Sequence, residues 1–268
     1  MIIISPILDS IVLMRLKNKN YRLKVYNLAL QKKLRDTKMG HIILRNLGEL
    51  MAKDTVLHQE FANTEKDGNY QKMFWESDLG YLWYIGNIQA SNAYFDYAKE
   101  EIKKHSLETV LDVGCGWGRF CSEVSEIETI KLSSGIDISA DIIKLAKEKY
   151  GHSKATYTHK DVMDEINSFD LITLFGSTDY IPPTIFKNVL KHIIKIANKE
   201  IIIVNSLRGI PFEDSLKMQE ALQIKRYDDG YLHPLNFILK EIQKDVSIQY
   251  EIKKYGQDSV ILTISKSN

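Results

Sequence analysis

The stretch Val110-Leu111-Asp112-Val113-Gly114-Cys115-Gly116-Trp117-Gly118-Arg119-Phe120 decides the fold. An apolar run carrying one acid, Asp112, leads into three glycines at alternate positions, and an amphipathic run follows from Arg119. A strand that turns sharply into a helix needs glycine there, because the backbone must bend and a ligand must approach with no Cβ in the way. A tight structural turn would use the same residues, so the glycines alone identify nothing. Their spacing admits less. A dinucleotide fingerprint has its third glycine one position later, where this chain has Arg119, and no G-K-[ST] ending is present. The loop suits a ligand without a pyrophosphate.

Working outward, short apolar runs alternate with amphipathic ones. Strands are expected at 109–113, 132–138, 155–159, 169–175 and 200–204, and helices at 119–127, 140–150 and 184–197. Apolar strands separated by helices imply a parallel sheet covered on both faces, and right-handed crossovers make it doubly wound. At the end, strand-like stretches 247–254 and 259–265 are separated only by Tyr255-Gly256-Gln257-Asp258. That connection is too short for a helical crossover, so the two should pair as an antiparallel hairpin at the sheet edge.

Acids sit at the expected strand tips. Asp137, in Gly135-Ile136-Asp137-Ile138-Ser139, lies nineteen residues after Gly118. A carboxylate there can accept hydrogen bonds from two ribose hydroxyls. Ser139 suits a helix N-cap with Asp141 in the first turn. Asp161, in His159-Lys160-Asp161-Val162, follows the third strand and could accept from an adenine amino group. Each acid alone reads equally as a capping or surface residue. The ordered set of strand, glycine loop, acid, strand, acid is far more selective.

On Val110–Gly118, Asp137, Asp161 and the fourth-strand run Phe169-Asp170-Leu171-Ile172, residues 108–268 resemble the class I S-adenosylmethionine-dependent methyltransferases. The resemblance implies a seven-stranded, mostly parallel sheet with an antiparallel C-terminal hairpin, and S-adenosyl-L-methionine as cofactor. It places Asp112 near the methionine moiety with Gly114, Cys115 and Gly116 lining its backbone contacts, Asp137 at the ribose and Asp161 on the adenine side, and it counts Gly118, Ile138, Val162 and Phe175 among the cofactor-binding positions. Trp83 or Tyr84 could wall the sulfonium, where a π-face favours a cation; the plain alternative is that the aromatics of 70–97 pack the pre-core helices onto the sheet.

The acceptor side is less explicit. Ligands in open α/β sheets bind beyond the carboxyl ends of the strands, which directs attention to Phe175-Gly176-Ser177-Thr178-Asp179-Tyr180-Ile181-Pro182-Pro183. Many small-molecule members of the family carry a Glu-His pair before an aliphatic residue here. Asp179-Tyr180-Ile181 resembles it, with Tyr180 replacing the histidine base and Asp179 left to orient or deprotonate a hydroxyl. A helix-entry loop with a turn acid is the plain alternative. An Asn or Asp followed by Pro-Pro-aromatic, the amino-methylating signature of nucleic-acid enzymes, is absent from this position. Arg208 could clamp a phosphate or carboxylate, and His233 reads as structural. The expected activity is methylation of a small hydroxylated acceptor, such as a sugar or related metabolite. An RNA- or protein-directed enzyme, or a non-catalytic partner protein, is the alternative.

Composition fits a folded chain: 268 residues, 44% hydrophobic, 26% charged and 5 Pro. No apolar run reaches the eighteen or so residues that span a bilayer, and the start has no basic n-region, so no signal peptide is read and a cytoplasmic setting is expected. Two cysteines, Cys115 and Cys121, make neither a disulfide framework nor a metal ligand set. Residues 1–54 hold eleven Lys or Arg against four acids, a balance of +7 on a chain of net charge +1. The expected organisation is a basic helical extension over 1–60, an aromatic-rich lid over 61–107 and a cofactor-binding core over 108–268. The basic helices would form a solvated face, a docking arm for RNA or protein, a membrane-surface contact or a homodimer surface.

Overall fold

The computed structural model describes residues 88–207, 209–224, 230–256 and 259–266, with scattered positions between 12 and 46. The chain divides into two compact units, residues 1–92 with 225–229 and residues 93–224 with 230–268. The sheet lies in the second.

Helix α1 (Ile88–Lys104) leads into β1 (Thr109–Val113), and the glycine loop then opens α2 (Arg119–Ser125). Next come β2 (Leu132–Asp137), α3 (Ala140–Tyr150), β3 (Ala155–His159), β4 (Phe169–Phe175), α4 (Pro183–Ile196) and β5 (Ala197–Ser206). The sheet order is β3-β2-β1-β4-β5, continued by the last two strands in chain order, β9 (Ser259–Lys266) and then β8 (Ile248–Tyr255). The first five strands pair in parallel, whereas β9 runs antiparallel to both β5 and β8. The terminal hairpin is therefore present, and its second strand is the one that joins the parallel sheet.

Strand β4 matches the expected 169–175 because its β-branched and aromatic residues are buried on both faces. Strand β5 extends past 200–204 at both ends, since the antiparallel pairing with β9 captures Asn205 and Ser206 as well. On one face Leu111, Ile172, Phe186, Ile193, Ile203 and Leu239 form the larger core with α4 and α6 (Leu235–Ile242). On the other, Phe95, Ile102, Val110, Phe120, Val124 and Ile202 pack α1 and α2 against the same strands. Truncating such a side chain to Ala costs about 2–5 kcal/mol.

Two passages depart from the expected alternation. Between β3 and β4, residues 160–168 carry only a 3₁₀ turn, Val162–Asp164. Extended, such a stretch reaches about 30 Å, enough to return along the sheet without a helix. Glu165 anchors it: its carboxylate accepts from Lys160 Nζ at 3.0 Å, from the Ile166 and Asn167 amides at 3.0 Å each and from Asn167 Nδ2 at 2.9 Å. These contacts hold the Glu165 carboxyl below its ordinary value although burial opposes them. Between β5 and α6 the chain adds the short helix α5 (Phe212–Ser215) and a two-stranded ribbon, β6 (Leu222–Ile224) with β7 (Gly230–Leu232). Three-residue strands produce too short an alternation to read from sequence. Among the described residues, no helix is long and apolar enough to cross a membrane.

Candidate functional site

Strand order places β1 beside β4, where the crossovers diverge: α2 packs on one face of the sheet and α4 on the other. A crevice beyond the carboxyl ends of the strands is the expected result. The glycine loop, the β2 tip and the turn after β4 all come to it.

The three loop glycines do different work. A Cβ at Gly118, where φ is +82°, would meet Tyr157 Cε1 at 2.5 Å and Ala146 Cβ at 2.9 Å, so this glycine lets α2 close onto β3 and α3. The Tyr157 hydroxyl lies 2.9 Å from the Gly118 carbonyl and 2.7 Å from that of Tyr150, which ties the three segments together. A Cβ at Gly114 would sit only 2.4 Å from Ser177 Cβ, so that glycine brings the β4 turn against the loop. The Ser177 hydroxyl completes that join by donating to the Val113 carbonyl at 2.8 Å. Gly116 differs, because nothing lies within 4 Å of its Cβ position. It faces open space, as a backbone segment that a ligand approaches must.

The Gly116 amide donates to Asp137 Oδ2 at 3.1 Å, and the Ser139 amide donates to Oδ1 at 3.0 Å. The ribose-acid candidate is thus fixed against the open part of the loop. Ser139 caps α3 by accepting from the Ile142 amide at 3.2 Å. Ile138 beside it is 74% exposed. His159 Nε2, 3.1 Å from the Ile138 carbonyl, supports this tip. Asp161 is exposed at the start of the 3₁₀ turn, where Oδ1 accepts from the Met163 amide at 2.9 Å, and Val162 behind it is buried.

Asp112 lies on β1 opposite Thr173 of β4, in register, and accepts from the Thr173 hydroxyl at 2.8 Å. Burial raises its carboxyl to about 7, the nearby charge of Asp137 adds to the rise, and the Thr173 bond opposes it. Cys115 and Cys121 are buried free thiols, pushed well above their usual range by burial first and by neighbouring acidic groups second. Phe175 is half-buried, with ring centroids 5.2 Å from both Tyr94 and Phe95 and 4.8 Å from Phe120.

The turn after β4, Ser177–Tyr180, is held by a buried polar network. Thr178 Oγ1 donates to Asn205 Oδ1 at 2.6 Å, and Asn205 Nδ2 donates to Asp179 Oδ1 at 3.0 Å. His233 Nε2 lies 3.1 Å from the Thr178 carbonyl, and its ring stacks on Phe186 with centroids 3.8 Å apart. A carbonyl only accepts, so Nε2 carries the proton. Burial lowers the imidazole to about 4, against the backbone carbonyls of Thr178 and Ile181, and it stays neutral at ordinary pH. Asp179 is buried, whereas Tyr180 is half-buried at the end of the turn.

Residues 110–200 match the methyltransferase domain family. The chain carries a class I S-adenosylmethionine-dependent methyltransferase domain. Over 90 residues the chain is 32% identical to the mitochondrial ubiquinone biosynthesis O-methyltransferase of Candida albicans, a match covering 31% of this chain and 28% of that protein. Among solved structures, an O-methyltransferase family protein from Burkholderia thailandensis aligns with TM-score 0.63 at 15% identity, covering 92% of this chain and 84% of that one. Magnesium protoporphyrin IX methyltransferase from Synechocystis, with bound S-adenosylhomocysteine, aligns with TM-score 0.50 at 17% identity, over 65% of this chain and 83% of that one. The chain spans between about a quarter and six-tenths of the length of the curated relatives it matches.

The fold brings Asp112, Gly114, Cys115, Gly116, Gly118, Asp137 and Ile138 together at the carboxyl ends of β1 and β2, with Asp179 in the turn that the Gly114–Ser177 contact holds beside them. The open space at Gly116 and the two acids at the strand tips fit an adenosyl sulfonium ligand. Tyr84, Trp83 and Arg208 lie outside the described residues. Thr173, Asn205 and Ser177 were not singled out in the sequence. A usable signal existed, since Thr173 is the lone polar residue between Leu171 and Phe175, and Asp112 is the lone acid in its own strand.

Proposed function

We propose that the protein transfers a methyl group to the oxygen of a small hydroxylated acceptor, such as a sugar or related metabolite. The observation that carries this reading is the buried Thr178–Asn205–Asp179 network, which fixes the turn after β4 against the glycine loop. The local similarity to an O-methyltransferase supports the same class of acceptor atom.

S-Adenosylmethionine, when bound, supplies a methyl group already activated on a sulfonium. The chain's own work is then to seat that ligand, exclude water, orient the acceptor and receive its proton. Gly116 and Asp137 form the adenosyl side, continued by Ile138, Asp161 and Val162. On the acceptor side, Asp179 orients the hydroxyl and takes its proton as the methyl–oxygen bond forms; it is buried, and its Oδ1 is held by the Asn205 amide. Tyr180 meets the acceptor as a hydrogen-bond partner. Well-held geometry contributes several kcal/mol to such a transfer.

The test is incubation with S-adenosylmethionine and a panel of sugars, nucleotide-linked sugars and phenols, with S-adenosylhomocysteine and O-methyl products measured by mass spectrometry. Methyl gain on oxygen is the expected result. Methylation confined to an amine, to RNA or to protein would overturn the assignment.

A further inference from the structure

The turn after β4 is gripped by a side chain that the proposed chemistry does not use. His233 lies between β7 and α6, is 2% exposed, and donates from Nε2 to the Thr178 carbonyl at 3.1 Å. That carbonyl also accepts from the Ile181 amide at 3.1 Å, the bond that closes the turn. Thr178 is held a third time through its hydroxyl, which donates to Asn205 Oδ1. The peptide joining Thr178 to Asp179 is planar, so fixing its carbonyl fixes the direction in which the chain leaves towards Asp179. Phe186 of α4, itself buried, lies almost parallel to the imidazole, with centroids 3.8 Å apart and 10° between the planes. This stack sets the ring plane, and with it the line of the Nε2–H bond.

We infer that His233 is a positioning residue for methyl transfer: through the Thr178 carbonyl it sets the placement of Asp179, and thereby the orientation of the acceptor hydroxyl. The inference rests on the proposed role of Asp179 at the acceptor. Burial keeps the imidazole neutral, so it serves as a fixed donor and takes no proton from the acceptor. The turn is thus braced from β5 through Asn205 and from the β7–α6 connection through His233, whose ring is seated on α4. A displacement of about 1 Å can cost on the order of 10²-fold in rate, so loss of this donor should be felt in turnover before it is felt in binding.

His233→Phe keeps the stack and removes the donor, whereas His233→Gln restores one. The assay uses saturating S-adenosylmethionine with the panel of sugars, nucleotide-linked sugars and phenols as acceptors. His233→Phe should lower kcat about 10–30-fold while acceptor KM and S-adenosylmethionine Kd stay within about threefold, and His233→Gln should recover kcat to within about threefold of wild type. On an Asp179→Ala background His233→Phe should cost no more than about twofold further, because its effect runs through that carboxylate. Between about pH 6 and 9 the kcat profiles of wild type and His233→Gln should share their shape, as expected of a neutral donor. Amide hydrogen exchange needs no acceptor: in His233→Phe the Ile181 amide should exchange about tenfold faster, and the glycine-loop amides at the wild-type rate. Thermal melting checks each variant, and a His233→Phe chain unfolded at the assay temperature would make the residue structural and overturn the inference. Unchanged kcat in His233→Phe, losses that multiply with those of Asp179→Ala, a pH limb that disappears in His233→Gln, or unchanged exchange at Ile181 would each overturn it too. Full turnover in Asp179→Ala would instead overturn the role of Asp179 on which it rests.

Discussion

At Asp137 both carboxylate oxygens already accept backbone amides, from Gly116 and Ser139. Its lone pairs are oriented before any ligand arrives, which limits the entropy lost on binding. Asp137→Ala should weaken S-adenosylmethionine by about 1.5–3 kcal/mol, the worth of a charged hydrogen-bond acceptor, or roughly 10–150-fold in Kd by calorimetry. The glycines give a sharper contrast. Gly118→Ala forces a methyl into Tyr157 and Ala146, and should lower stability by more than about 2 kcal/mol in denaturant unfolding. Gly116→Ala meets no atom and costs only the strain of φ +52°, about 1 kcal/mol. Its penalty should appear in cofactor affinity instead. If both variants lose stability equally, the division of labour among the glycines is wrong.

At the scale of elements, the turn after β4 is the part most dependent on tertiary contacts. His233→Phe retains a ring over Phe186 but has no donor for the Thr178 carbonyl, whereas His233→Gln restores a donor. Loss of that bond should cost about 1–2 kcal/mol. If Asp179 serves the acceptor side alone, as proposed, Asp179→Ala should reduce turnover about 100-fold while leaving S-adenosylmethionine affinity within twofold. Much of this was legible in advance: the glycine loop, Asp137, the Ser139 cap and the terminal hairpin all depend on neighbours close in sequence or on strand periodicity. The network was not. Asn205 and His233 meet Thr178 and Asp179 across 26 to 55 residues, and His233 could be read only as structural. The β6–β7 ribbon escaped for a related reason, because its strands are too short to give a period.

For the whole molecule, the pH dependence of stability reflects a buried acid far from the crevice. Glu200, at the N-terminal end of β5, is 7% exposed, and its Oε2 has no hydrogen-bond partner. Burial raises its carboxyl to about 7, with Glu101 adding to the rise and Lys104 opposing it. A carboxyl raised on folding favours the native state below its unfolded value near 4.5, and that contribution is lost as pH climbs through 7. Glu200→Gln should therefore match wild type near pH 4 and exceed it by on the order of 1–3 kcal/mol at pH 8. A variant less stable than wild type at pH 8 would refute this account.

The helix-free return between β3 and β4 has a consequence for motion. Ser134, Thr156 and Thr158 line a cleft of about 390 Å³ beneath it, with hydroxyls where a crossover helix would set apolar side chains. The margin formed by β2 and β3 is thereby held by fewer dry contacts than the centre at β4 and β5. Amide hydrogen exchange should run fastest at that margin and slowest in the middle strands. Asp137, Ile138 and Asp161 all project from the same loosely quilted border, so an adenosine clasped there would damp its breathing and stiffen the sheet from the rim inward.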